Sequence, residues 1–240
     1  AIQPELGIDK EQETIIFNAL SELKLEHPIQ HIIGSSHFMD MDFKVNPHVL
    51  IPRPETEELV RWVIEDNEKA ELPLAILDMG TGSGCIPISL DKNLPNVIVH
   101  GLDISSDALE VAQENNKTHG TEVVFFQADI LNLDHKGTYD IIVSNPPYVR
   151  ELEKAEMQKN VIDHEPSIAL FVPDEDPLKF YRAIVNFASR HLNDKGSLYL
   201  EINQYLGNEM IEFLQKYEFH TIKLKQDMYG NDRMLKGIIR

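Results

Sequence analysis

From residue 74 onward, short apolar runs alternate with stretches of helical periodicity. The runs lie at 74–77, 97–102, 123–126, 139–143 and 197–202, with helical patterns at 84–92, 106–119 and 177–192. Such alternation argues for a parallel sheet with helices on both faces. The tail departs from it. A helix at 207–217 leads to runs at 219–225 and 233–239, joined by Tyr229-Gly230-Asn231-Asp232. Two strands joined that closely must pair antiparallel. The expected fold is therefore α/β, a mostly parallel sheet finished by an antiparallel strand.

The first third reads differently. Ile15, Ile16, Ala19, Leu20 and Leu23 recur at helical spacing within 10–25, Asp9 and Gln12 form a capping pair, and Pro28 is expected to end the helix. Alone that helix cannot bury its apolar face, so it belongs to a larger helical element or packs on the next stretch of chain. A short β-hairpin is expected from 36–39 and 43–45, turning through Met41-Asp42. After Ile51-Pro52-Arg53-Pro54, a helix starts with Glu55, Glu57 and Glu58 and carries Leu59, Val60, Val63 and Ile64.

With 240 residues the chain can bury one sizeable core and a small appended piece. Nothing resembles a signal peptide, and no apolar stretch approaches the ~20 residues of a membrane span. One cysteine, Cys85, excludes an internal disulfide and fits a reducing cytoplasm; it reads as a small buried side chain rather than an activated thiol. A net charge of −18 would repel polyphosphates, which counts against direct binding of nucleic acid. The chain begins at Ala1, so a fragment or processed form is expected.

Two loops in this scheme carry chemistry. Asp78-Met79-Gly80-Thr81-Gly82-Ser83-Gly84 follows the first run and opens the first helix. Its glycines allow a sharp turn and a close approach of backbone to a ligand. Phosphate cradling and dinucleotide binding would also suit such a triplet, but three features favour S-adenosylmethionine. The spacing is G-x-G-x-G led by an acid, and no Lys-Ser/Thr pair follows. Asp103 closes the next run, where it suits two ribose hydroxyls. Asp129 follows the third and suits the adenine amino group, with Ile130 against the ring. Each acid singly reads equally well as a cap or solvated turn. Three at successive strand ends point to a ligand, because open α/β sheets bind ligands there.

The second loop, Asn145-Pro146-Pro147-Tyr148, follows the fourth run. Two prolines supply no backbone N–H and fix two φ angles, so the Pro146 carbonyl stays unpaired and aimed outward. Asn145 adds a donor and an acceptor, and Tyr148 an aromatic face. A proline pair alone says only turn. Beside a nucleoside pocket, the set suits an –NH2 on a flat π-system. Hydrogen bonds from that –NH2 to Asn145 and the Pro146 carbonyl would aim its lone pair at a sulfonium methyl and stabilise the developing charge. The step needs no general base and no metal. The ten histidines show no ligand-like clustering and read as surface or packing residues.

These residues make the chain similar to the release-factor glutamine N5-methyltransferases over nearly its whole length. The resemblance runs through Pro28–Gly34, the signature Ile51-Pro52-Arg53-Pro54-Glu55-Thr56-Glu57-Glu58-Leu59-Val60, both loops, Glu165-Pro166, Leu200-Glu201-Ile202 and Asp227 to Arg233. It implies a class I S-adenosylmethionine-dependent methyltransferase fold, Rossmann-like, with a seven-stranded sheet plus an N-terminal helix and β-hairpin. It divides the chain into 1–27, a remnant of an N-terminal helical domain; 28–54, linker and hairpin; and 55–240, the catalytic domain.

The same resemblance implies a cytoplasmic monomer that methylates the glutamine of the Gly-Gly-Gln loop in peptide-chain release factors. Asp78, Gly80, Thr81, Gly82, Ser83, Gly84, Asp103, Asp129, Ile130 and Asn145 would contact the cofactor. Asn145, Pro146, Pro147 and Tyr148 would hold the glutamine and form the catalytic set. Arg53 and Glu57 would shape the pocket wall, with helix-start ion pairs as the plainer alternative. With the helical domain mostly missing, cofactor binding is expected to be normal and release-factor binding weakened. Asn203 and Pro177 stand where the family usually has glycine, both outside the expected catalytic core. Two rival readings stay open: an adenine-N6 methyltransferase on DNA or RNA, and a silent S-adenosylmethionine-binding scaffold.

Overall fold

A computed structural model describes residues 7–240; residues 1–6, the start of the segment expected at 1–27, lie outside the described residues. Helix α1 spans Lys10–Lys24. The Asp9 carboxylate accepts from the Glu11 and Gln12 amides, and Gln12 Oε1 accepts from the Asp9 N–H. Pro28 does not end this helix. It stops at Lys24, Glu26 turns left-handed with φ 64°, and Pro28 instead leads α2 (Ile29–Ile33). The apolar face of α1 stays open, with Phe17 69% and Ile15 62% exposed.

Strands β1 (Ser35–Phe38) and β2 (Met41–Lys44) form the expected hairpin, but the turn is Met39-Asp40 rather than Met41-Asp42. Both turn residues have positive φ, 50° and 58°, the mirror-image turn that follows strand twist. Glycine and asparagine, its usual markers, are missing from the sequence there, which hid its position.

Helix α3 (Pro54–Asn67) begins with its proline in the first turn, where the missing N–H costs nothing. The alternating region then follows as β3 (Leu74–Met79), α4 (Cys85–Asn93), β4 (Val97–Asp103), α5 (Ser106–His119), β5 (Val124–Gln127) and β6 (Tyr139–Ser144). Next come β7 (Val149–Arg150), α6 (Lys159–His164) and β8 (Phe171–Val172). β7 and β8 make a small parallel pair in a stretch that gave no strand signal in the sequence. The chain closes with α7 (Lys179–His191), β9 (Leu192–Glu201), α8 (Gly207–Lys216), β10 (His220–Gln226) and β11 (Asp232–Ile238).

The main sheet has seven strands in the order β10-β11-β9-β6-β3-β4-β5. β11 runs antiparallel to both neighbours, and the other pairings are parallel. Alternate strand residues feed opposite cores. Ile76, Ile141, Val143 and Tyr199 pack with α3 and α4, whereas Leu77, Ile142, Leu198 and Leu200 pack with α7 and α8. After β5 the chain crosses back to lay β6 on the other side of β3. That reversal opens a crevice at the carboxyl ends of the strands. Among the described residues, no helix is long and apolar enough to cross a membrane.

Candidate active site

The glycine loop folds over the end of β4. Both the Gly80 and Thr81 N–H groups donate to the Leu102 carbonyl at 2.9 Å, which requires φ of +85° at Gly80. The Gly82 N–H then donates to Asp103 Oδ2 at 2.9 Å, and the Ser105 N–H to Oδ1 at 3.0 Å. Each carboxylate oxygen keeps a further lone pair for a ligand. Burial pushes the Asp103 carboxyl above its usual range, and the backbone donors of Ser105 and Gly82 oppose that. Behind the hairpin, buried Asn115 of α5 donates to the carbonyls of Lys44 and Ser83, pinning β2 to the glycine loop.

These loops wall a cavity of about 370 Å³. Gly80, Thr81, Gly82, Ser83, Asp103, Asp129, Ile130 and Asn145 line it. Ile130 leans over Gly80, 3.7 Å from where a Cβ would stand. Asp129 caps its own turn, Oδ1 accepting from the Leu131 N–H at 2.9 Å and Oδ2 from Asn132 Nδ2 at 2.7 Å. Two expected residues stand back from the wall. Gly84 starts α4 at φ +81°, and a Cβ there would fall 3.2 Å from the Ala112 Cβ, so its place is helix packing. Asp78 is fully buried beneath the loop, where the Thr81 hydroxyl donates to its Oδ2 at 2.6 Å and its Oδ1 has no partner among the described residues. Cys85 is buried and its thiol is pushed up to about 12 by burial, as the inert reading expects.

A second cavity of about 260 Å³ lies on the other side of the Asn145 loop. Pro146 and Tyr148 line it, Pro147 lines the first, and Asn145 and Arg53 line both. Arg53 pairs with buried Glu165, which also accepts from the Ile51 N–H at 3.0 Å. Glu57 lies away from both cavities, taking the Met39 N–H at 3.0 Å and Arg61 at 3.2 Å to hold the hairpin turn. The sequence signature thus divides: Arg53 is wall, Glu57 is scaffold.

The family model described as the methyltransferase small domain matches residues 63–168. A release factor glutamine methyltransferase of Flavobacterium psychrophilum is 51% identical over 98% of this chain and 84% of its own length. This chain belongs to that family. The enzyme of the same name from Bacteroides thetaiotaomicron is 49% identical over 94% of this chain and 80% of its own length. Among solved structures, a release-factor-specific protein-(glutamine-N5) methyltransferase from Alicyclobacillus acidocaldarius is 25% identical, with a TM-score of 0.50 over 82% of this chain and 99% of that one. A methyltransferase from Pyrococcus furiosus shares the fold, with a TM-score of 0.62 at 18% identity over 96% of this chain and 98% of that one.

In this member of the family, the bend rests on residues that sequence reasoning left without a role. Asn145 Nδ2 donates to the Thr56 hydroxyl at 3.1 Å, and that hydroxyl donates to Glu201 Oε2 at 2.6 Å. The Tyr148 hydroxyl donates to Glu201 Oε1 at 2.8 Å and accepts from Arg233 Nη1 at 3.3 Å. Asn203, expected to lie clear of the core, is buried and donates to the Tyr148 carbonyl at 3.1 Å. One sequence signal was there to read: Glu201 ends an apolar run, and a buried charge requires partners.

Asp78 also sets an expected pH response. Burial raises its carboxyl from 3.8 to about 7; the Thr81 hydroxyl opposes this and the Asp103 charge adds to it. Between these values the folded protein holds a proton that the unfolded chain has released. Stability contributed by this group is full below the lower value and falls as pH rises through about 7. Asp78→Asn is expected to lose that slope, its stability advantage growing from near zero at about pH 4 to on the order of 2–4 kcal/mol at about pH 8. Urea unfolding across that range checks this; parallel pH profiles for the two proteins would contradict it.

Proposed function

We propose that this chain transfers a methyl group from S-adenosylmethionine to the side-chain nitrogen (N5) of the Gly-Gly-Gln glutamine of a peptide-chain release factor. The observation that most supports the reading is the shared wall, Asn145 facing two cavities at once. The first suits the cofactor: a left-handed glycine cradle and a carboxylate with spare acceptors at Asp103. S-adenosylmethionine held there supplies an electrophilic methyl group on a positively charged sulfur.

The residues of the chain do the rest by position. Asn145 engages only its Nδ2, and the Pro146 carbonyl accepts no hydrogen bond among the described residues. Two free acceptors on consecutive residues match the two N–H bonds of a carboxamide. Accepting both turns the nitrogen lone pair toward the first cavity and stabilises the positive charge that grows on nitrogen. Pro146, Tyr148, Leu170 and Val161 exclude water from the flanks of that group. The proton leaves to solvent after transfer.

Residues 55–240 form the catalytic unit in this reading, acting as a cytoplasmic monomer on protein rather than nucleic acid. The net charge of −18 favours that choice of partner. Co-expression with a release factor, followed by mass spectrometry of its Gly-Gly-Gln peptide, is expected to find one methyl group added to the glutamine. Methylation of nucleic acid alone would overturn the reading in favour of adenine-N6 transfer. Calorimetry finding no affinity for S-adenosylmethionine or S-adenosylhomocysteine would overturn the reading in favour of a fold kept as scaffold alone.

A further inference from the structure

Behind the shared wall, a chain of hydrogen bonds runs into the sheet with only one direction open to it. Thr56 and Glu201 are 3% and 1% exposed, so their hydrogen-bond partners are chiefly protein groups. An ionised carboxylate only accepts, and a hydroxyl has one proton to give. The Thr56 proton goes to Glu201 Oε2 at 2.6 Å. Toward Asn145, Thr56 is left with only a lone pair, so Asn145 must present Nδ2, as it does at 3.1 Å. The Oδ1 end of the amide is thereby turned away from Thr56. The other Glu201 oxygen takes the Tyr148 proton at 2.8 Å, and Arg233 donates to the Tyr148 oxygen at 3.3 Å. Asn145 Oδ1 and the Pro146 carbonyl are then the acceptors that the bend offers, while the donors of Arg53 and Gln158 lie elsewhere on the lining of the second cavity.

We infer that Glu201, acting through the Thr56 hydroxyl, is a positioning residue that fixes which end of the Asn145 amide faces the substrate. The inference rests on the proposed reaction and deepens it. The two acceptors of the bend suit the –NH2 of a carboxamide better than a carboxylate oxygen, so Glu201, by holding the Asn145 amide in this sense, favours glutamine over glutamate at that point of the cavity. Burial raises the Glu201 carboxyl above its usual range; the Thr56 and Tyr148 hydroxyls and the Arg233 charge oppose this and favour the ionised form. A glutamine at 201 has nearly the same shape but can donate to Thr56, which frees Thr56 to donate to Asn145 Oδ1 and lets the amide turn over.

The test compares E201Q, T56V and T56S with the unaltered protein on a Gly-Gly-Gln peptide. E201Q and T56V are expected to lose about tenfold or more in kcat, with affinity for S-adenosylhomocysteine within about threefold. T56S keeps the hydroxyl and is expected to restore most of the turnover lost in T56V. Turnover near the unaltered level in E201Q and T56V, or T56S as impaired as T56V, would overturn the relay. A second readout does not depend on turnover: the side-chain NH2 resonances of Asn145 are expected to shift in E201Q and T56V and to stay in place in T56S. Unchanged resonances in all three would overturn the relay even if the unaltered protein methylates nothing. Failure of the unaltered protein alone, with the resonances moving as expected, sinks the reaction and leaves the relay standing.

Discussion

Asn145→Ala is expected to lower methyl-transfer kcat by about a thousandfold while leaving affinity for S-adenosylhomocysteine within about tenfold. The asymmetry follows from position. Asn145 lines both cavities, so under the proposed function its loss trims one contact to the cofactor, while the glycine loop, Asp103 and Ile130 still wall the first cavity. On the substrate side it removes one of two paired acceptors at the point where charge develops. An amide nitrogen is a poor nucleophile because its lone pair is delocalised, so orientation and charge stabilisation matter most there. Pro146 and Pro147 keep the bend in shape, so the variant is expected to fold. Single-turnover assays with calorimetry on the same preparation separate the two effects. Near-normal turnover would remove Asn145 from the chemistry, and a loss of cofactor affinity equal to the loss of rate would make it a cofactor residue only.

Asp103→Ala is expected to weaken binding of S-adenosylhomocysteine by about a hundredfold or more. Two effects add. A carboxylate accepting from a ribose diol contributes about 1.5–3 kcal/mol through charge-assisted hydrogen bonds. The same carboxylate holds the glycine loop at the Gly82 N–H and the next helix at the Ser105 N–H, both of which would lose their partner. At saturating cofactor, kcat should return to within a fewfold of normal, because Asp103 touches no part of the second cavity. Titration calorimetry measures the first effect and a cofactor-saturation curve the second. An affinity within about threefold of normal would show that the ribose is held elsewhere.

Much of the fold was legible in the chain because period-2 and period-3.6 patterns report burial directly. The seven strands of the sheet and the helices between them follow from where Val, Ile and Leu recur, and the loops at the ends of β3 to β6 follow from the strands. The turn at Met39-Asp40 was not legible, since neither residue advertises a positive φ. Nor was the pair β7 and β8, whose two-residue strands are too short to show a period. The supporting polar residues were hidden for another reason. Thr56 and Glu201 are 145 positions apart, and Asn115 reaches Lys44 across 71. Such partners are set by the sheet order, which brings the N-terminus of α3 to the end of β9, and no local pattern encodes it. Glu57 and Gly84 show the converse: both sit in strong motifs, yet each supports the site from behind.

The central claim is spatial, that one bend serves two cavities. The most direct measurement is a crystal structure of the protein with S-adenosylhomocysteine and a Gly-Gly-Gln peptide. The nucleoside is expected between Asp103 and Ile130, and the glutamine carboxamide is expected to donate both its N–H bonds to Asn145 Oδ1 and the Pro146 carbonyl, its nitrogen facing the sulfur. A glutamine seated away from that bend, or a sulfur turned from Asn145, would contradict it.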